Sequence, residues 1–159
     1  MNADTAVTSA LRALSAALTE LGRPSMVIGG IAPRVDDARA FAIERQVLLL
    51  RHEASKMPLD VALAWLPFEH EALARATLVD FGGFHATVAR AEDLIVYKSI
   101  AWRERDRTDI ERLLALHRDG IDLTRVRNLL AQFAAALDAP ERVAEFETLV
   151  DRVSHTRLR

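Results

Sequence analysis

A change of hydrophobic period near residue 90 constrains this chain more than any other feature of its sequence. Beyond that point, segments 92–102, 106–117, 123–137 and 140–153 place apolar residues three and four apart, the period of helices packed on one face. Before it, apolar residues come in short runs at 26–31, 47–50 and 59–64, a length suited to strands. Residues 78–80 and 85–88 flank Phe81-Gly82-Gly83-Phe84, which predicts a hairpin. Two segments before residue 90 read as helices. In 4–21, Val7, Leu11, Leu14, Leu18 and Leu21 share a face until Gly22 and Pro24 stop it, and 67–75 is a shorter helix. In the second half Gly120 is a stop signal, Asp122 and Asp138 read as N-caps, and Pro140 falls near a first turn. The pattern predicts an α+β (or α/β) protein: a small mixed sheet, an N-terminal helix and a C-terminal helical bundle. The sheet region is expected over 1–90 and the helical region over 91–159, packed as one domain, and 159 residues are enough to bury a core.

The formal net charge of -2 gives no general attraction to nucleic acid or to an anionic membrane. Arg103, Arg105 and Arg107, and again Arg152, Arg157 and Arg159, read as solvated helix faces. The chain has no cysteine, which excludes disulfides, thiolate metal sites and cysteine nucleophiles. Met1-Asn2-Ala3-Asp4 lacks the start of a signal peptide, and no apolar run reaches the ~20 residues of a membrane span. A cytoplasmic protein with no membrane partner is the expectation. The five histidines lack ligand spacing, and no serine lies in a Gly-x-Ser-x-Gly context. Trp65 and Trp102 read as core or interface aromatics. Leu130, Phe133, Leu137, Phe146 and Val150 read as packing faces, with a homodimer partner left open.

Four features bear on chemistry, each with a plain structural alternative. Gly29-Gly30 ends an apolar strand, where backbone can approach phosphates closely or simply turn. Asp60 sits within an apolar strand, where a carboxylate needs a partner, a metal or an exposed edge. Lys98 lies on a mostly apolar helix, so its ammonium either snorkels or enters a cleft. Asp106 and Asp109, three apart in Arg105-Asp106-Arg107-Thr108-Asp109-Ile110, suit the capping and charge preference of a helix start.

Taken in order, these stretches resemble the AbiEii-like nucleotidyltransferases, a branch of the polymerase-beta-type superfamily that includes toxins of toxin-antitoxin pairs. The likeness runs through Val27-Ile28-Gly29-Gly30-Ile31-Ala32, Val47-Leu48-Leu49-Leu50-Arg51-His52, Leu59-Asp60-Val61-Ala62-Leu63 and Leu66-Pro67-Phe68-Glu69. It continues through Glu92-Asp93-Leu94-Ile95 and Lys98 to Arg105-Asp106-Arg107-Thr108-Asp109-Ile110. The resemblance implies transfer of a nucleoside monophosphate from a nucleoside triphosphate to a hydroxyl, with Mg2+ as cofactor. It implies Gly29 and Gly30 at the nucleotide phosphates and Asp60 as third carboxylate of the metal site. It implies Lys98 near the phosphates and Asp106 as the acidic residue that follows, with Asp109 a second acidic position. An RNA acceptor or an antitoxin protein would be the partner.

One part of the family pattern is missing. The glycine pair should be followed by Asp-x-Asp or Asp-x-Glu on a strand, because side chains at i and i+2 share a face and can jointly hold metal ions. Here Asp36 and Asp37 are adjacent, and no such pair occurs between Gly30 and Asp60. A block of about 30 to 40 residues, the length of a helix-strand-helix unit, is the simplest absence to infer, between Ala32 and Pro33. The expectation is a chain that does not transfer nucleotides; the alternative function is a non-catalytic nucleotide- or protein-binding module.

Overall fold

The computed structural model describes residues 3–20, 22, 44–117 and 120–155. The glycine pair Gly29-Gly30, the strand expected over 26–31 and the Ala32-Pro33 junction lie outside the described residues. The chain forms two units, Met1–Ala89 and Arg90–Arg159.

In the first unit, α1 (Ala3–Glu20) is followed by two antiparallel hairpins and a short helix. Gly22 ends α1 with φ +61, a conformation that costs glycine no Cβ clash. Strands β1 (Val47–Arg51) and β2 (Pro58–Ala62) pair with Leu49 opposite Asp60 and Leu50 opposite Leu59. The His52 N–H donates to the Met57 carbonyl at 2.8 Å to close the turn, and Lys56 inside it has φ 57. Helix α2 (Pro67–Arg75) follows with Pro67 at its start. The Glu69 carboxylate reaches back to accept from the N–H groups of Trp65 and Leu66, at 2.8 and 3.0 Å. Two donors that no helical carbonyl can reach are thereby satisfied.

Strands β3 (Thr77–Asp80) and β4 (His85–Val88) form the hairpin expected around the Phe-Gly-Gly-Phe sequence. Gly82 and Gly83 both have positive φ, which a two-residue turn of this twist requires. Phe81 and Phe84 stack at 5.2 Å across the turn, and the Arg12 guanidinium of α1 lies 5.8 Å from the Phe84 ring centre.

The second unit contains α3 (Ala91–Ala101), α4 (Glu104–Leu116), α5 (Leu123–Ala136) and α6 (Glu141–His155). Helix α3 packs on α4 and α5, and α6 packs on the same two. Each helix contributes one buried stripe at helical spacing: Ile95 with Val96 and Ser99, Asp106 with Ile110 and Leu114, Val126 with Leu130 and Ala134, and Phe146 with Leu149 and Val150. Full burial of each large apolar side chain here contributes about 1.5–3 kcal/mol. The Asp122 carboxylate accepts from the Arg125 N–H at 2.9 Å, the N-cap expected of it.

The α+β class is what the described residues form, with several local corrections. Both described sheets are antiparallel pairs, so the parallel pairing of a mixed sheet is not among the described residues. Strand β1 is not buried: Leu48 and Leu50 are exposed, because alternate residues of a two-stranded hairpin point away from its covered face. Asp138 caps no helix N-terminus. It sits just past α5 with φ 52, while its N–H donates to the Ala135 carbonyl and the Ala139 N–H to the Ala134 carbonyl. Those two bonds make a Schellman C-cap, with aspartate where glycine is usual. Leu137, expected on a packing face, is exposed because α5 has already ended. Among the described residues, no helix is long and apolar enough to cross a membrane.

Candidate functional site

Lys98 lies in the last turn of α3, where a cation is favoured by the partial negative charge of the helix end. Trp102 caps that helix in the left-handed conformation, its N–H donating to the Lys98 carbonyl at 2.8 Å. Arg103 follows in extended conformation, and α4 begins at Glu104 rather than at Asp106 as the periodicity predicts. Asp106 therefore lies inside the first turn of α4. Its carboxylate accepts from the Arg103 N–H at 3.0 Å, satisfying an orphan donor from within the helix rather than from the cap position.

The tight α3–α4 connection brings Lys98 against both acids. Its ammonium donates to Asp109 Oδ2 at 2.7 Å and lies 3.8 Å from Asp106 Oδ1. Lys98 thus neither snorkels freely nor projects alone into a cleft. Asp106 is almost wholly buried, whereas the side chains of Lys98 and Asp109 keep 24% and 36% of their surface exposed. A ligand from solvent can therefore reach the ammonium–Asp109 side of the cluster.

The hydrogen bond from Lys98 holds the Asp109 carboxyl below the ordinary aspartate range, against a smaller opposing effect of burial, and the charges of Lys98, Arg112 and Arg105 add to the lowering. Arg112 lies 3.7 Å from the same carboxylate, one helical turn on. Sequence spacing offers Arg105 as an ion partner of Asp109; its contribution is through charge, and the closer contact is made by Arg112. The i,i+3 spacing of Asp109 and Arg112 is the sequence signal for it.

Asp60 belongs to the other unit. It occupies the middle of β2, half-buried, on the same face as Leu49 of β1. Burial pushes its carboxyl above the ordinary aspartate range. Among the described residues no ion pair or hydrogen bond offsets that cost, and no group of three acidic or histidine side chains is assembled to hold a metal. The Mg2+ that the resemblance implies is therefore not fitted by the described residues: one carboxylate cannot clamp two ions. Gly29 and Gly30, implied at the phosphates, are outside the described residues. Lys98, Asp106 and Asp109 are the site positions that meet.

The comparisons add no relative to this geometry. No protein-family model matches the chain, and a search of curated proteins finds no match.

Proposed function

We propose that this chain is the body of a nucleotidyltransferase-type domain, with Lys98 as its contact to nucleotide phosphates and with no transfer activity of its own. The observation that carries the reading is the convergence of Lys98 from α3 with Asp106 and Asp109 from α4. Those are the lysine and the acidic positions that the sequence resemblance singles out, and they lie eight to eleven residues apart. In the complete reaction an acceptor hydroxyl attacks the α-phosphorus of a nucleoside triphosphate and pyrophosphate leaves. Lys98 offsets the negative charge of the phosphates, and the two carboxylates hold its ammonium in place beforehand. Between Gly30 and Asp60 the sequence holds no Asp-x-Asp or Asp-x-Glu to join Asp60, and the described residues bring no further carboxylate to it. The reading therefore ends at binding. A cytoplasmic location, and an RNA acceptor or antitoxin protein as partner, belong to the same proposal.

Thermal unfolding with each of the four ribonucleoside triphosphates, in the presence of chelator, tests the binding. A ligand at about 100 times its dissociation constant stabilises a folded protein by about 2.7 kcal/mol, enough for a clear rise in midpoint. Lys98→Ala is expected to abolish that rise. No rise with any nucleotide in the unaltered chain sinks the reading. Incubation with labelled nucleoside triphosphate, Mg2+ and an RNA mixture is expected to give no labelled product, and magnesium-dependent labelling overturns the inactivity.

A further inference from the structure

Two residues, Trp102 and Arg103, join the helix of Lys98 to the helix of Asp106 and Asp109. Trp102 takes φ 49 and ψ 34, a left-handed conformation that is strained for a bulky side chain and persists only where its surroundings hold it. Its indole N–H is buried with no hydrogen-bond partner among the described residues, so a polar anchor does not fix the ring.

What meets the ring is Arg142, from the first turns of α6. The guanidinium carbon lies over the indole, 4.9 Å from its centre, within cation–π reach of the aromatic face. Its Nη1 donates to the Ser99 carbonyl at 3.0 Å, near the C-terminal end of α3. That carbonyl is one of those a helix end leaves without an internal partner, since the Arg103 N–H is taken by Asp106. Glu145, one turn along α6, places a carboxylate 3.4 Å from the Arg142 Nε, a charge contact without hydrogen-bond geometry. One side chain therefore grips the α3 terminus, the strained elbow and the α6 start together.

We infer that Arg142 is a positioning residue: by lying over Trp102 and binding the Ser99 carbonyl, it sets the α3–α4 elbow that brings Lys98 onto Asp106 and Asp109. Its importance for nucleotide binding rests on the reading above; the positioning itself does not. Lysine at 142 keeps the charge but loses the planar fork. Glycine at 102 removes the ring while tolerating the positive φ.

The test is an NMR titration of the Asp109 carboxyl in the full chain, alongside helical circular dichroism. Asp109 reports the cluster because Lys98 is its first partner, with Arg112 and Arg105 adding charge. In Arg142→Lys and in Trp102→Gly, Asp109 is expected to titrate nearer the ordinary aspartate range than in the unaltered chain, with helical content kept. Trp102→Phe, which restores a ring, is expected to restore the low value in part. Unchanged titration in both Arg142→Lys and Trp102→Gly overturns the inference. So does loss of helical structure in both, which makes the pair a folding element only. Nucleotide-induced thermal shifts on the same variants are read separately. An unaltered chain that shows none overturns the functional reading while the titration still decides the positioning.

Discussion

Arg125 donates through Nη2 to Asp93 Oδ1 at 3.1 Å, and Asp93 has no exposed surface. The two residues belong to the first turns of α5 and α3, and the link is reinforced nearby. The Glu92 carboxylate accepts from the N–H of Asp122, which itself caps α5. The starts of two helices are thus tied by charge through a carboxylate that is itself fully buried. Removing one member of a buried pair takes a charge partner from the other, which is strongly destabilising.

Arg125→Ala is therefore expected to destabilise the helical unit by about 3–5 kcal/mol. Urea unfolding followed by Trp102 fluorescence in a Trp65→Phe background isolates that unit. Arg125→Ala with Asp93→Asn, which removes the buried negative charge, is expected to recover part of the loss.

Asp109 gives a pH signature. Its folded-state pKa is depressed, chiefly by the Lys98 hydrogen bond, so the folded chain binds fewer protons there than the unfolded chain. The stabilisation is complete above the ordinary aspartate pKa, near 3.9, and is lost as pH falls through the folded value. Stability measured by denaturant from neutral pH downward is expected to fall less steeply over that acidic window in Asp109→Asn than in the unaltered chain.

Asp60 has the opposite sign. Burial raises its folded-state pKa, so ionisation costs stability as pH rises from the ordinary aspartate value through the raised one. Asp60→Asn is expected to raise the unfolding midpoint at pH 7 and to leave it unchanged near pH 3. An equal effect at both pH values excludes the burial of charge as the cause. A strand that would be steadier with asparagine at 60 is one whose carboxylate costs stability, as functional groups commonly do.

Asp138→Gly tests the end of α5. Aspartate in the left-handed position of a Schellman cap is strained relative to glycine, and the backbone hydrogen bonds do not depend on its side chain. A gain of about 0.5–1 kcal/mol is expected in thermal or urea unfolding. A loss would show that the Asp138 carboxylate contributes more than its backbone strain costs.

Much of this fold is legible in sequence because hydrophobic period and turn residues are local signals. The Phe81-Gly82-Gly83-Phe84 turn, the Pro67 helix start and the Asp122 cap follow from residues a few positions apart. Asp138 escapes because aspartate suits both a helix start and a left-handed turn, and only the carbonyls of α5 decide between them. The meeting of Lys98 with Asp109 depends on the left-handed turn at Trp102, which nothing in Ala101-Trp102-Arg103 announces. Arg142 is harder still: forty residues separate it from Trp102, and no spacing rule joins them. Asp60 is visible as an odd carboxylate among apolar residues, but its lack of a described partner is not.

The β1–β2 register carries a further consequence. Asp60 shares its side of the hairpin with Leu49, while Leu59 faces Leu50 on the other. The backbone bond from His52 to Met57 closes one end of that register and the bond from Leu63 to Gln46 the other. Because side chains alternate along a strand, a single inserted or deleted residue in that turn would trade the carboxylate for a leucine without touching either one. A change of two residues in the turn would keep both faces, whereas a change of one would not.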